Sequence, residues 1–268
     1  MLASTALCGM MFGAMLFGML ADKIGRKKVI LICVTLFSGF TFWGGFASNP
    51  VEFGILRFIA GLGIGGVLPN LVALTSEYAP KKLRSTLVTT MFSGYAVGGI
   101  MAALLGSWFT TEYGWQIMFF IAGIPLLFVP IIWKFLPESL TFLVKKQHNE
   151  QARHIIQKIS TQEHISDQTI LNLDEVQLPD ASVKALFMQG RGMSTALFWC
   201  CFFMCLLMVY ALGSWLPKLM LAAGYSMGTS LMFLLSLNVG AVIGTISGGI
   251  LADKFHLKPV IIWMFILG

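Results

Sequence analysis

Arg57 is the one strong charge that falls clearly inside an apolar stretch of this sequence, residues 53–76. A cation in hydrocarbon is costly and rarely kept without a task. Arg57 therefore either holds the carboxylate of an anionic ligand or snorkels to the interface, because it lies only about 7 Å along the helix from its outer end at about 1.5 Å per residue. Tyr95, Tyr210, Trp215 and Asn238 could add ring stacking and hydrogen bonds for an aromatic ligand, or could equally be packing residues. Glu77, at the inner end of the same stretch, is either a functional acid or an interfacial carboxylate. No Asp or Glu falls well inside an apolar stretch: Glu52, Glu77 and Glu112 all lie near the ends of such stretches.

Other chemistries find no support. There is no Walker, HExxH or GxSxG sequence, so neither ATP-driven transport nor hydrolysis is expected, and the chain is not read as an enzyme. Gly61, Gly63 and Gly66 match a dinucleotide fingerprint in spacing alone, without the preceding strand or the following acid, so close helix packing is the reading and no nucleotide is expected. His148, His154 and His164 lack metal-ligand spacing, and Cys8, Cys33, Cys200, Cys201 and Cys205 lack partners, so neither metal nor cofactor is expected.

The elements that must position these residues are membrane helices. A hydrophobic share of 57% with 11% charged residues and a mean hydropathy of +0.81 exclude a water-soluble globule, whose charged share is about a quarter. Stretches long enough to cross a bilayer, about 17 to 25 residues, fall at 3–20, 29–47, 53–76, 86–109, 115–136, 195–217 and 227–251, with an eighth starting at Pro259. The expected fold is an all-α integral membrane protein of about seven full transmembrane helices plus a stub. The expected organisation is a first transmembrane half at 1–136, a central loop at 137–193 with a helical stretch near Lys145 to Ile159, and the start of a second half at 194–268.

Net charge +6 does not imply nucleic acid, because the cations alternate by loop: sixteen of eighteen Lys and Arg lie on one side, the exceptions being Arg57 and Lys218. By the positive-inside rule those loops, the central one included, are cytoplasmic.

Gly18 to Ile30 recurs at Gly249 to Ile261 with eight of thirteen positions identical, each copy following a long apolar run. The offset of 231 residues (249 − 18) points to a duplicated half-protein of several helices. Gly18 allows close packing, Asp22 can face the positive end of a neighbouring helix, and Arg26 to Lys28 suit an anionic membrane surface. With Gly18-x-x-x-Asp22-Lys23-x-Gly25-Arg26-Lys27-Lys28, the chain resembles the major facilitator superfamily. In the second copy His256 replaces the second glycine, Leu257 the arginine and Pro259 a lysine, so a latch at Asp253 is expected to be the weaker one.

Arg57-x-x-x-Gly61-x-Gly63-x-Gly65-Gly66, Glu77, Pro137-Glu138-Ser139 and Trp215-Leu216-Pro217 further resemble the aromatic acid:proton symporters of that superfamily, which include benzoate and hydroxybenzoate permeases. The resemblance implies uptake of a small aromatic carboxylate with a proton by alternating access, in an inner membrane. Arg57, Tyr95, Tyr210 and Asn238 would contact substrate, and Gly18, Asp22, Gly25, Arg26, Glu77, Glu138 and Asp253 would form the gating latch. Tyr95 stands where proton-driven exporters of the superfamily often carry proline, which favours uptake over efflux. Because relatives carry an acidic pair on a helix before the one that opens this sequence, the chain is expected to be part of a longer protein. A non-transporting remnant or sensor-like membrane protein, and an efflux antiporter, are the alternative readings.

Overall fold

In the computed structural model, which describes residues 2–159, 187 and 190–267, the expected apolar stretches are helical, one of them, 115–136, in two pieces. In chain order the elements are α1 (Leu2–Ile24), α2 (Arg26–Gly44), α3 (Pro50–Tyr78), a 3₁₀ turn at Lys81–Leu83, α4 (Arg84–Tyr113), α5 (Gln116–Ile121), α6 (Pro125–Phe135), α7 (Leu140–Lys145), α8 (Asn149–Ile159), α9 (Gly192–Ala222), α10 (Met227–Phe255) and α11 (Leu257–Leu267). Among the described residues, seven helical segments are long and apolar enough to cross a membrane, and they match the seven expected stretches apart from a few residues at their ends. α11 is the expected stub.

Local chemistry sets the ends. Asn49 Oδ1 accepts the Glu52 N–H at 2.8 Å while Pro50 occupies the first helical position of α3, where a missing N–H costs nothing. Ser226 caps α10 through the Thr229 N–H, and Ser139 caps α7 through the Phe142 N–H.

Two expected boundaries fail. Residues 115–136 are not one helix: the Gly123 and Ile124 N–H groups bond three residues back, to Phe120 and Ile121, and Pro125, having no N–H, opens a new helix. The helical stretch expected to begin at Lys145 begins at Asn149, because Gln147 takes a positive φ of 60° between α7 and α8. Within the central loop, residues 160–186, 188 and 189, His164 among them, lie outside the described residues.

Packing follows the glycines. α1 and α3 approach so closely that a Cβ on Gly9 or Gly13 would collide with the Phe58 and Leu62 carbonyls, and one on Gly61 or Gly65 with the carbonyls of Ala6 and Met10. Gly63 faces α2, where a Cβ would lie 2.6 Å from the Cys33 carbonyl oxygen. The glycine pattern is thus a helix seam, as expected where apolar side chains gain nothing by leaving lipid. Gly65→Val is expected to break the α1–α3 seam and lower the yield of monodisperse folded protein several-fold in detergent gel filtration, whereas Gly39→Val, with open space around it, should not.

Phe17, Ala21, Val29 and Cys33 form one buried cluster, and Ile30, Val34 and Leu74 a second that α6 covers with Val129 and Ile132. These tie α1, α2, α3 and α6 into one body. α4 packs mainly on α10, far along the chain, rather than on α3. α9 has no buried residue and presents its apolar side chains all round, which suits a lipid-facing helix.

Candidate functional site

Four of the residues expected to form a latch meet at one end of the bundle. Arg26, at the start of α2, forms an ion pair with Glu77 near the end of α3, and Ser139 Oγ donates to the other Glu77 oxygen at 2.8 Å. Glu138 Oε1 accepts the N–H groups of Lys27 and Ser139, both at 3.0 Å, so its carboxylate sits on the positive end of α2. The Tyr78 hydroxyl donates to the Glu138 carbonyl at 2.6 Å. Gly25 makes this approach possible: its φ of 100° suits glycine, and a Cβ there would lie 2.8 Å from the Glu138 carboxyl carbon. These groups come from Gly25, α2, α3 and the segment leading into α7, so the network ties that segment to the start of α2 and the end of α3. Ser139, a working member, carried no sequence signal beyond its place in Pro137-Glu138-Ser139.

The second repeat copy behaves otherwise. Asp253, near the end of α10, accepts the N–H groups of Ser85 at 3.0 Å and Thr86 at 2.8 Å and the Thr86 hydroxyl at 2.7 Å, which places its carboxylate on the N-terminus of α4. Gly249, four residues earlier, packs against Thr89 and lies so close to α4 that a Cβ would be 3.0 Å from the Thr86 Cα. In the first copy the equivalent Gly18 has nothing within 4 Å, and Asp22 is exposed and has no hydrogen bond or ion pair among the described residues. Among the described residues, the helix-end contact foreseen for Asp22 is made by Asp253, in the copy whose following sequence is less well matched.

The reason is in the backbone. His256 adopts φ 68° and ψ 152°, beside φ 100° and ψ 150° at Gly25, so the loop keeps its shape with histidine in a position suited to glycine. Such a conformation costs a residue with a Cβ about 1–3 kcal/mol. His256→Gly is expected to raise stability by about 1 kcal/mol, read as a higher melting temperature of the purified protein.

Arg57 and the proposed ring contacts are dispersed. The half-buried Arg57 guanidinium carbon lies 5.9 Å from the centroid of the Phe119 ring and makes no hydrogen bond or ion pair among the described residues. Phe119 packs edge-on against Phe53 (5.3 Å, 72°) and Trp115 (5.5 Å, 90°), so Arg57 stands beside an aromatic cluster that joins α3 to α5. Tyr95 lies on α4, 64% exposed, and Tyr210 on α9. Asn238 is buried, its Nδ2 donates to the Leu234 carbonyl at 2.8 Å, and its amide packs against Gly99 of α4, which places it in the α4–α10 seam. Trp215 is 61% exposed and carries Lys218 Nζ 5.5 Å from its ring centroid. Among the described residues, no three His, Cys, Asp or Glu side chains converge as metal ligands would.

Comparison with known proteins sets this geometry in context. The family model described as Major Facilitator Superfamily matches residues 1–268. A benzoate transport protein of Acinetobacter baylyi is 52% identical over 274 residues, covering 100% of this chain and 59% of that protein. A gentisate transporter of Corynebacterium glutamicum is 38% identical, covering 95% of this chain and 52% of its own length. A 4-hydroxybenzoate transporter of Acinetobacter baylyi is 34% identical, covering 96% and 58%. The chain thus spans between 52% and 59% of the length of these curated relatives. Among solved structures, the xylose transporter XylE of E. coli in a partially occluded inward-open conformation superimposes with a TM-score of 0.70 at 22% identity, over 94% of this chain and 59% of that one. A double-tryptophan mutant of XylE gives 0.73 at 23% identity, over 94% and 58%. At that identity the likeness concerns the fold.

Proposed function

Because the chain belongs to the major facilitator superfamily, we propose that the protein of which it forms all or part takes up an aromatic carboxylate, of the benzoate or hydroxybenzoate kind, together with a proton by alternating access. The observation that carries this reading is the 52% identity to a benzoate transport protein along the whole chain. The physical chemistry agrees with it. Arg57 is a cation within a span that meets no carboxylate among the described residues and stands beside aromatic rings, which suits a ligand that is both anionic and aromatic. Alternating access needs a seam that opens, and the α4–α10 seam joins the two expected halves through small residues and one carboxylate, Asp253. Asp22 and Gly18, which present an equivalent but uncovered pair, would close a matching seam. Gly25, Arg26, Glu77 and Glu138 would keep the first half rigid while the seams move.

In this reading the protein lies in the inner membrane with its basic loops and the segment 137–193 in the cytoplasm. The test is accumulation of labelled benzoate by energised cells that express the native gene. Uptake above that of cells lacking the gene, abolished by a protonophore, is the expected result. A fall in accumulation would mean export, and no change would leave a membrane protein that does not transport this acid.

A further inference from the structure

A cavity of about 750 Å³ opens at the basic end of the helices, between the start of α2, the ends of α3 and α6, and α8. Lys27 of α2 and Lys134 of α6 line it together with His154 of α8, and its remaining wall is largely apolar, with Phe135, Leu136, Leu143 and Ile155. Two carboxylates share the lining. Glu138 is already committed, since it accepts two N–H groups at the positive end of α2, and Glu150 lies exposed in the first turn of α8. The cations open to a ligand are the two lysines, with the free carboxylate of Glu150 standing at the α8 rim of the cavity.

We propose that this cavity binds the phosphate headgroup of an anionic glycerophospholipid, with Lys27 and Lys134 as its cationic contacts, His154 on the opposite wall, and the acyl chains running along the end of α6. Three observations point to a lipid. Lys27 Nζ lies 5.7 Å from the centroid of the Trp133 ring, and Trp133 is 57% exposed; tryptophan and lysine together mark headgroup depth in a membrane helix. Phe135, 75% exposed and next to Lys134, offers an apolar track beside the charge. α8 buries Ala152 against the protein and lines the cavity with Glu150, Gln151, His154 and Ile155, so that it covers the cavity from the loop side while Trp133 and Phe135 of α6 stay exposed. A small hydrated anion would gain nothing from the apolar wall between the cations, whereas an amphiphile uses both. The site does not depend on what the protein transports.

The test uses the protein expressed from its native gene, purified in mixed micelles of phosphatidylglycerol and phosphatidylcholine, with bound lipid counted by native mass spectrometry. The wild type is expected to retain phosphatidylglycerol in preference to phosphatidylcholine. Lys27→Gln/Lys134→Gln should weaken that binding about 30-fold, at about fivefold for each lysine near a lipid surface, while Lys218→Gln leaves it unchanged. Ile155→Trp, which fills the cavity without removing charge, should weaken it as well, and monodisperse elution of each variant checks folding. Equal retention by wild type and double variant overturns the proposal. Complete displacement of phosphatidylglycerol by millimolar inorganic phosphate overturns the lipid assignment in favour of a free anion.

Discussion

Arg57→Ala is expected to reduce benzoate uptake about 100-fold and to do so through binding. A charge-assisted hydrogen bond is worth about 1.5–3 kcal/mol, or about 10- to 150-fold in affinity, and a guanidinium binding a carboxylate through two N–H groups lies towards the upper end. No described carboxylate pairs with Arg57, so alanine leaves no buried anion behind, and the fold should survive the loss of one cation–ring contact with Phe119. Arg57→Lys keeps the charge but not the planar fork, and should fall between the two, about tenfold below wild type. The measurement is initial uptake rate against benzoate concentration, with the amount of folded protein determined by fluorescence gel filtration. An unchanged KM in Arg57→Ala would mean that Arg57 only reaches the interface beside Phe119, the alternative the sequence left open.

How much of this was legible can be followed residue by residue. The seven spans were readable because bilayer thickness fixes the length of an apolar run, and only the break before Pro125 escaped, since other prolines in these helices, Pro69, Pro130 and Pro217, leave them continuous. The glycine seam was readable as a composition but not as a pairing: nothing in Gly61 and Gly65 says that they meet Ala6 and Met10 rather than another helix. The carboxylates were readable as types. Their partners were not, because Arg26 finds Glu77 across 51 residues, Glu138 finds Lys27 across 111, and Asp253 finds Thr86 across 167. Ser85 and Thr86 passed unnoticed, and Ser139 entered only as part of Pro137-Glu138-Ser139, because a backbone N–H or a hydroxyl offered to a carboxylate leaves no pattern in sequence. Asn238 is the converse case, a polar residue in a span whose Nδ2 bonds within its own helix and whose amide packs against Gly99, a pairing its type does not announce.

The contrast between the two repeat copies leads to the second large effect. Asp253 uses both oxygens on the first turn of α4, and Gly249 lets the helices touch one turn earlier, so the seam is held at its basic end by one charge and one absent side chain. Asparagine at 253 replaces one acceptor oxygen by an NH₂ group. If that group faces the Thr86 N–H, two donors meet; if it faces the Ser85 N–H, the same conflict moves by one residue. Either way α4 loses part of its cap and the seam its attraction to the helix dipole. A cysteine placed at Thr89, which lies against Gly249, reports the opening. Its labelling by a maleimide in lipid nanodiscs should rise about tenfold on adding Asp253→Asn, and further with Gly249→Val, which wedges the helices apart. Asp22→Asn should slow transport yet leave Thr89→Cys labelling nearly unchanged, because Asp22 does not touch this seam. Equal labelling with aspartate or asparagine at 253 would mean that packing alone holds α4 to α10, and the carboxylate would then have to be sought as a group that acts during the transport cycle rather than in the closed seam.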